Sequence, residues 1–331
     1  MLRARSTVTI RIAVLAAVVC ISLATSRHSE AQSYPSKPVR IVVPFGTGSA
    51  TDLLARQLGA GLALEFGQPV NIENRPGGAA IIGAEAVAKS PPDGYTILIG
   101  SSQSHATNSS LFKKLPYDPI ADFAPVARLS TFPAVLVVHQ SIPARTVAEF
   151  VAYAKQRPGQ LNYASTGPGT QTHLQSAMLA AISGLQVTHI PFKDAGQIFG
   201  AIGRGDVAFM FYPFAALGPV IQSGRVHVLA STGEKRSPLT PDTPTMIEAG
   251  FPELTLAAWN GLYVPAATPP DIIERIHLAT RRALENPDMQ SKLAALGVEL
   301  TFGSPRELAE FTRTEIERYR RLVALTGLKA E

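Results

Sequence analysis

Val39-Arg-Ile-Val-Val-Pro-Phe45 runs directly into Gly46-Thr-Gly-Ser-Ala-Thr-Asp52, after which Leu54, Leu58 and Leu62 recur at i+4 spacing. A β-branched run, then small residues, then a helical period predicts a strand, a tight turn and a helix. Small residues let the backbone approach a ligand, and the first N–H groups of a helix attract a carboxylate or phosphate. The plain alternative is a strand-to-helix turn capped by Thr51 or Asp52. A dinucleotide site competes with both, because Gly46-Thr-Gly48 begins a GxGxxG and Glu73 stands where a ribose acid would. Position six is Thr51, however, whose branched side chain obstructs the helix packing that a third glycine permits.

The same alternation continues outward. Further strands are expected at Val70 to Glu73, Thr96 to Gly100, Ala134 to His139, Leu161 to Ser165 and Val187 to Ile190. Others are expected at Val207 to Phe211, Val226 to Ala230, Leu262 to Val264 and Val298 to Phe302. Helices fill the gaps, which predicts α/β layers around largely parallel sheets. Thr146-Val-Ala-Glu149 and Ser304-Pro-Arg-Glu307 are capping boxes. Behind the second, Leu308, Phe311, Tyr319 and Leu322 line one face of a terminal helix, with Glu315, Glu317, Arg318, Arg320 and Arg321 on its solvated side.

A length of 331 residues suggests two domains. The Pro-rich stretch Ser237 to Pro252 reads as a connection between them. Residues 32–132 and 257–331 then form a discontinuous first lobe, and 133–256 an inserted second lobe.

Composition narrows the function. The chain is 46% hydrophobic and 17% charged, with one cysteine, which excludes a disulfide framework and any cysteine-rich zinc site. His139, His189, His227 and His277 show no ligand spacing, so no metal site is expected. Arg3, Arg5 and Arg11 precede the apolar run Ile12 to Ala24, and Ser29-Glu-Ala31 offers small residues for cleavage: a secretory signal peptide over residues 1–31. Thirteen residues rise only about 20 Å as a helix, too short for a bilayer core. Val18 and Val19 ahead of Cys20 disfavour lipid attachment. Removing four Arg and one Glu from 30 basic and 25 acidic residues leaves a net charge of +2. No basic block with interleaved aromatics survives, so no nucleic-acid partner is expected.

Three further loops share the small, hydroxyl-rich character of the first: Pro76-Gly-Gly-Ala-Ala80, Gly100-Ser-Ser-Gln-Ser-His105 and Ser165-Thr-Gly-Pro-Gly-Thr170. Ligands of open α/β sheets bind at the carboxyl ends of strands, where such loops converge. Enzyme signatures are poor, with neither GxSxG nor HExxH present. His105 and His173, each beside hydroxyls, support a secreted hydrolase as the alternative reading. Trp259 is read as core, or else as a wall of the cleft.

The residues resemble the Bug/TctC family, the extracytoplasmic receptors of tripartite tricarboxylate transporters. The markers are Tyr34-Pro-Ser-Lys-Pro38, Val42-Val-Pro-Phe45 leading to Thr51-Asp52 and Ala55-Arg56, Glu73-Asn-Arg-Pro-Gly-Gly78 and Pro92-Asp-Gly-Tyr95. They continue with Leu161-Asn-Tyr-Ala-Ser165, Ile190-Pro-Phe-Lys193, Lys235-Arg-Ser-Pro238, Pro241-Asp-Thr-Pro-Thr245 and Trp259-Asn-Gly261. The resemblance implies a type II periplasmic-binding-protein fold, two α/β lobes around a ligand cleft. It implies a monomeric periplasmic receptor that binds a small organic carboxylate, delivers it to permease subunits, and uses no catalysis, cofactor or metal. The implied first wall is Phe45, Thr47, Gly48, Ser49, Ala50, Thr51 and Asp52 with Ser101, Ser102 and His105. The second is Ser165, Thr166, Gly167, Thr170 and His173, with Tyr212 at the border. The family usually carries glycine near Ser49-Ala50 and often at Asp194, and an acid or amide near Tyr212, so the identity of the carboxylate does not carry over.

Cleavage after Ala31 predicts a mature chain that begins at Gln32. N-terminal sequencing of the protein from its native host checks this, and an intact Met1 in the membrane fraction overturns it.

Overall fold

The strand Val39–Val43 (β1) is buried at four of its five positions because it runs through the middle of a layered unit. The computed structural model describes residues 34–192 and 195–328. The segment read as a signal peptide, Lys193 and Asp194 lie outside the described residues.

Beside β1 lie β2 (Val70–Asn74) and β3 (Thr96–Ser101), both parallel to it. Next in the chain come β4 (Phe123–Phe132), β5 (Ala134–His139), β6 (Leu161–Ser165), β7 (Val187–Pro191), β8 (Phe209–Pro213) and β9 (Val226–Ser231), then β10 (Ala258–Pro265) and β11 (Glu299–Gly303). They form two sheets, one ordered β11-β4-β10-β3-β1-β2 and the other β7-β6-β8-β5-β9. The chain therefore leaves the first sheet at Pro133 and returns to it after β9. Where it leaves and returns, Ala134 N–H donates to Thr232 Oγ1 at 2.9 Å and Thr232 N–H to the Ala134 carbonyl at 2.8 Å, so the two crossings are tied together.

Both sheets are mixed, which corrects the expectation of largely parallel ones. β10 runs antiparallel to β3 and β4, β11 antiparallel to β4, and β5 antiparallel to β8 and β9. β4 is the strand that sequence reading missed. Pro125 and Arg128 interrupt its apolar pattern, and register shifts against β10 break the period-two burial on which strand recognition rests.

The helix Ala50–Phe66 buries Leu54, Leu58 and Leu62 and stops at Gly67, whose φ of 61° is the left-handed cap. Ser49 caps its start, neither Thr51 nor Asp52. Both expected capping boxes close, at Thr146 with Glu149 and at Ser304 with Glu307. The helix Pro305–Thr326 corrects one assignment: Glu315 is buried and accepts the Trp259 indole N–H at 3.0 Å. Trp259 packs edge-on against Phe311, so an acid on the helix's inner face is held there by the one donor the indole has.

Gly100 and Gly261 face each other across β3 and β10. A Cβ on Gly100 would lie 2.6 Å from both His105 Cε1 and Tyr263 Cδ2, so this position has no room for a side chain. Gly100→Ala is expected to lower stability by about 1–3 kcal/mol through overpacking. A urea unfolding midpoint equal to that of the unaltered chain would contradict this.

Candidate functional site

The loop after β1 is built around one buried carboxylate. Asp52 accepts Gly48 N–H at 2.8 Å, Asn74 Nδ2 at 2.9 Å and Arg56 Nε at 3.0 Å. Burial alone would raise its pKa, but the hydrogen bonds from Arg56, Gly48 and Asn74 outweigh burial and hold the carboxyl below its usual range. Asn74, the last residue of β2, also donates to the Phe45 carbonyl and accepts from Thr47. Gly48 takes a φ of +81°, a left-handed conformation suited to glycine.

Gly48, a residue of the implied first wall, therefore offers no free N–H there, since Asp52 takes it. Ser49 Oγ accepts Asp52 N–H, which leaves the N–H groups of Ala50 and Thr51 as the helix's unspent donors. Nearby cations are already committed, Arg56 to Asp52 and both Arg40 and Arg75 to Glu73. Positive potential at this loop therefore comes from amides at a helix N-terminus.

The second expected loop winds into a π-helix, Ser102–Thr107, capped reciprocally by Ser101 and Ser104. π-turns are rare and often mark functional sites. Ser101 and Ser102 are nearly buried. His105 is fully buried, stacked on Tyr263 with ring centroids 4.0 Å apart, and its Nδ1 meets Ser104 Oγ at 2.9 Å. It belongs to the packing beneath the loop and not to a solvent-facing wall. The Pro76–Ala80 loop joins this cluster, because Asn108 Nδ2 donates to the Ala79 carbonyl at 2.8 Å. Gly77 through Ala80 all have positive φ, which for Ala79 and Ala80 is a strained backbone held by its surroundings.

The third loop is a hydroxyl ring. Thr172 Oγ1 accepts Thr166 N–H at 3.0 Å and lies 3.1 Å from the hydroxyls of Thr166 and Thr170. Thr170 also donates to the Gly167 carbonyl. Ser165 Oγ sits 2.6 Å from His189 Nε2, whose ring stacks on His173 at 3.8 Å. His173 Nδ1 in turn accepts Gly169 N–H at 3.0 Å.

A Cβ on Gly169 would lie 2.6 Å from Leu111 Cδ1, so the third loop abuts the segment that follows the π-helix. Tyr319 OH donates to Gln171 at 2.8 Å and strengthens that approach. Tyr212, on β8, packs edge-on against Phe199 of the helix Ala195–Arg204. Sequence reading missed four residues that shape the site: Asn74, Thr172, His189 and Asn260, which meets Thr51 Oγ1 and donates to the Gly100 carbonyl. Asn74 and Asn260 stood inside quoted motifs, and an amide between a strand end and a Gly-rich turn was the available signal.

The sequence pattern of tripartite tricarboxylate transporter family receptors, TctC, matches residues 54–328. The chain belongs to the TctC family. It is 33% identical over 319 residues to BugT of Bordetella pertussis, covering 95% of this chain and 98% of that one. Among solved structures, the adipate-bound R. palustris Rpa4515 superposes with a TM-score of 0.82 at 33% identity, over 89% of this chain and 99% of that one. MatC of Rhodopseudomonas palustris, with bound malate, gives 0.78 at 33% identity, over 88% and 100%. The two sheets are those of the two-lobed periplasmic binding proteins, and TctC proteins are solute-binding receptors of transport systems.

Burial lowers the His105 pKa to about 3, and burial with the adjacent His189 lowers His173 to about 4. Both rings are neutral in the folded protein at pH 7. The unfolded chain protonates them near 6.5 and so binds more protons as pH falls, which makes stability rise with pH in this window. The TctC chain is expected to lose about 1.4 kcal/mol per pH unit for each ring between pH 6 and pH 5. A melting temperature that stays level across that interval would show the rings are not buried as described.

Proposed function

We propose that this TctC chain is a periplasmic receptor that captures a small organic carboxylate and hands it to the permease subunits of a tripartite transporter. Its ligand lies between a lobe of residues 32–132 and 257–331 and a lobe of residues 133–256. The observation that carries the reading is the pair of unspent amides, Ala50 and Thr51, at the mouth of a helix whose neighbouring cations are already paired. Such a site neutralises a carboxylate by dipole and hydrogen bond and still allows release, which a receptor needs. The hydroxyls of Thr166 and Thr170 complete the wall from the second lobe, and Ser101 and Ser102 support the first.

Two relatives at 33% identity hold adipate and malate, both dicarboxylates, and they set the first ligands to try. The hydrolase alternative has less support, because His105 is sealed from substrate and the His173 Nδ1 is already engaged by a backbone N–H.

Ala50→Pro tests the reading. Proline fits the first helical position, and Ser49 already has the extended conformation (φ −67°, ψ 157°) that a following proline prefers. The substitution deletes one N–H and little else. Isothermal titration with adipate and malate should show saturable binding that falls at least tenfold, about 1.4 kcal/mol, in the variant, with the melting temperature unchanged and the ligand recovered intact. Equal affinity in both proteins would remove this amide from the site. Failure of both acids and of a wider C3 to C8 carboxylate panel to bind would remove the carboxylate reading.

A further inference from the structure

A cavity of about 480 Å³ lies among β4, β11, the helix Pro305–Thr326 and the segment that returns the chain from the second sheet to the first. None of the loop residues discussed above lines it. Its size is that of a small-molecule pocket. Three polar atoms of its lining residues are buried without a hydrogen-bond partner: Arg128 Nε, Thr255 Oγ1 and Thr301 Oγ1.

Arg128 is the unusual member. Its guanidinium lies over the Phe311 ring at 3.8 Å, a contact that fixes its plane. No ion pair joins it to a carboxylate among the described residues. The other arginines of the wall are engaged, Arg236 with Glu248 and Arg318 with Glu315 and the Thr255 carbonyl. Glu315 also holds the Trp259 indole. Glu299 already accepts from Thr131 at 3.4 Å, and burial, with Glu234 as like-charged neighbour, pushes its carboxyl above the usual range. The unmet need is for acceptors. Glu315, Glu234 and Glu307 lend the half-buried Arg128 a negative field, but none of them accepts its buried Nε–H.

We propose that this cavity is a second binding site, for a small molecule bearing an oxyanion group, either carboxylate or phosphate, with Arg128 as its anchor and the Thr255 and Thr301 hydroxyls as donors. Trp259 and Phe311 supply the apolar wall against which the rest of the molecule lies.

The chain has one tryptophan, so a uniformly ¹⁵N-labelled sample gives one indole resonance, from a group in the cavity wall. Inorganic phosphate and benzoate, titrated separately at matched ionic strength, distinguish the two sources of oxyanion. At least one should shift that resonance saturably. Ala50→Pro should leave this shift intact, which separates the cavity from the carboxylate cleft. Arg128→Gln should weaken the interaction at least tenfold. Thr255→Val with Thr301→Val, which keeps shape and loses only hydroxyls, should weaken it at least threefold even where Arg128→Gln is poorly folded. No saturable shift with either probe, equal shifts in the hydroxyl-deleted protein, or loss of the shift in Ala50→Pro would each overturn the proposal.

Discussion

Asp52 is a buried acid that spends its charge entirely inside the protein. By taking Gly48 N–H, Asn74 and Arg56, it fixes the turn after β1, ties that turn to the end of β2, and consumes the local cation. What remains at the surface is a helix start with two amides unused. The shape of the loop, the register between β1 and β2 at their carboxyl ends and the electrostatic character of the first wall all depend on that carboxylate staying ionised. A carboxylate held by three donors is worth more than its separate bonds, because removing it leaves Gly48 N–H unpaired and Arg56 with the Asn74 Oδ1 alone, at 3.2 Å.

The two proposed sites embody different recognition strategies. The loops around Ala50 and Thr170 offer donors without net charge, adaptable to acids of different length because backbone amides and hydroxyls impose little shape. The cavity at Arg128 offers a fixed, charged, planar donor against an aromatic ring, which suits one geometry better than many. The first arrangement favours exchange and the second favours residence.

Much of this was legible in the sequence where pattern and chemistry coincide. β5 and β6 have the expected limits because apolar runs bounded by turn residues leave little freedom. The capping boxes at Thr146 and Ser304 were legible because a hydroxyl and an acid three residues apart encode a local geometry. β4 was hidden, since its burial is set by two partners distant in the chain and by bulges that scramble the alternation. Glu315 was misplaced on its charge: at i+4 from Phe311 and i+7 from Leu308 its spacing puts it on the inner face, where Trp259, far away in sequence, supplies the donor that lets an acid stay there. His105 entered the first wall through the family resemblance, but the bare face of Gly100 makes room for its ring in the interior. Asn74 and Asn260 were legible in principle as amides between a strand end and a Gly-rich turn, whereas His189 reaches Ser165 only through the pairing of β6 with β7.

The order of strands in the first sheet also governs how the chain assembles. β5 to β9 are contiguous, so the second sheet has all its members once Ser231 has emerged from the ribosome. β4 sits between β10 and β11, and β3 lacks one neighbour until β10 arrives, so the first sheet stays open until the last quarter of the chain has been made. Closing it demands contacts between residues more than a hundred positions apart, which is slow by loop-closure entropy. Until then β3 and β4 expose unpaired edges, the state in which such a chain is most prone to aggregate and most in need of a chaperone.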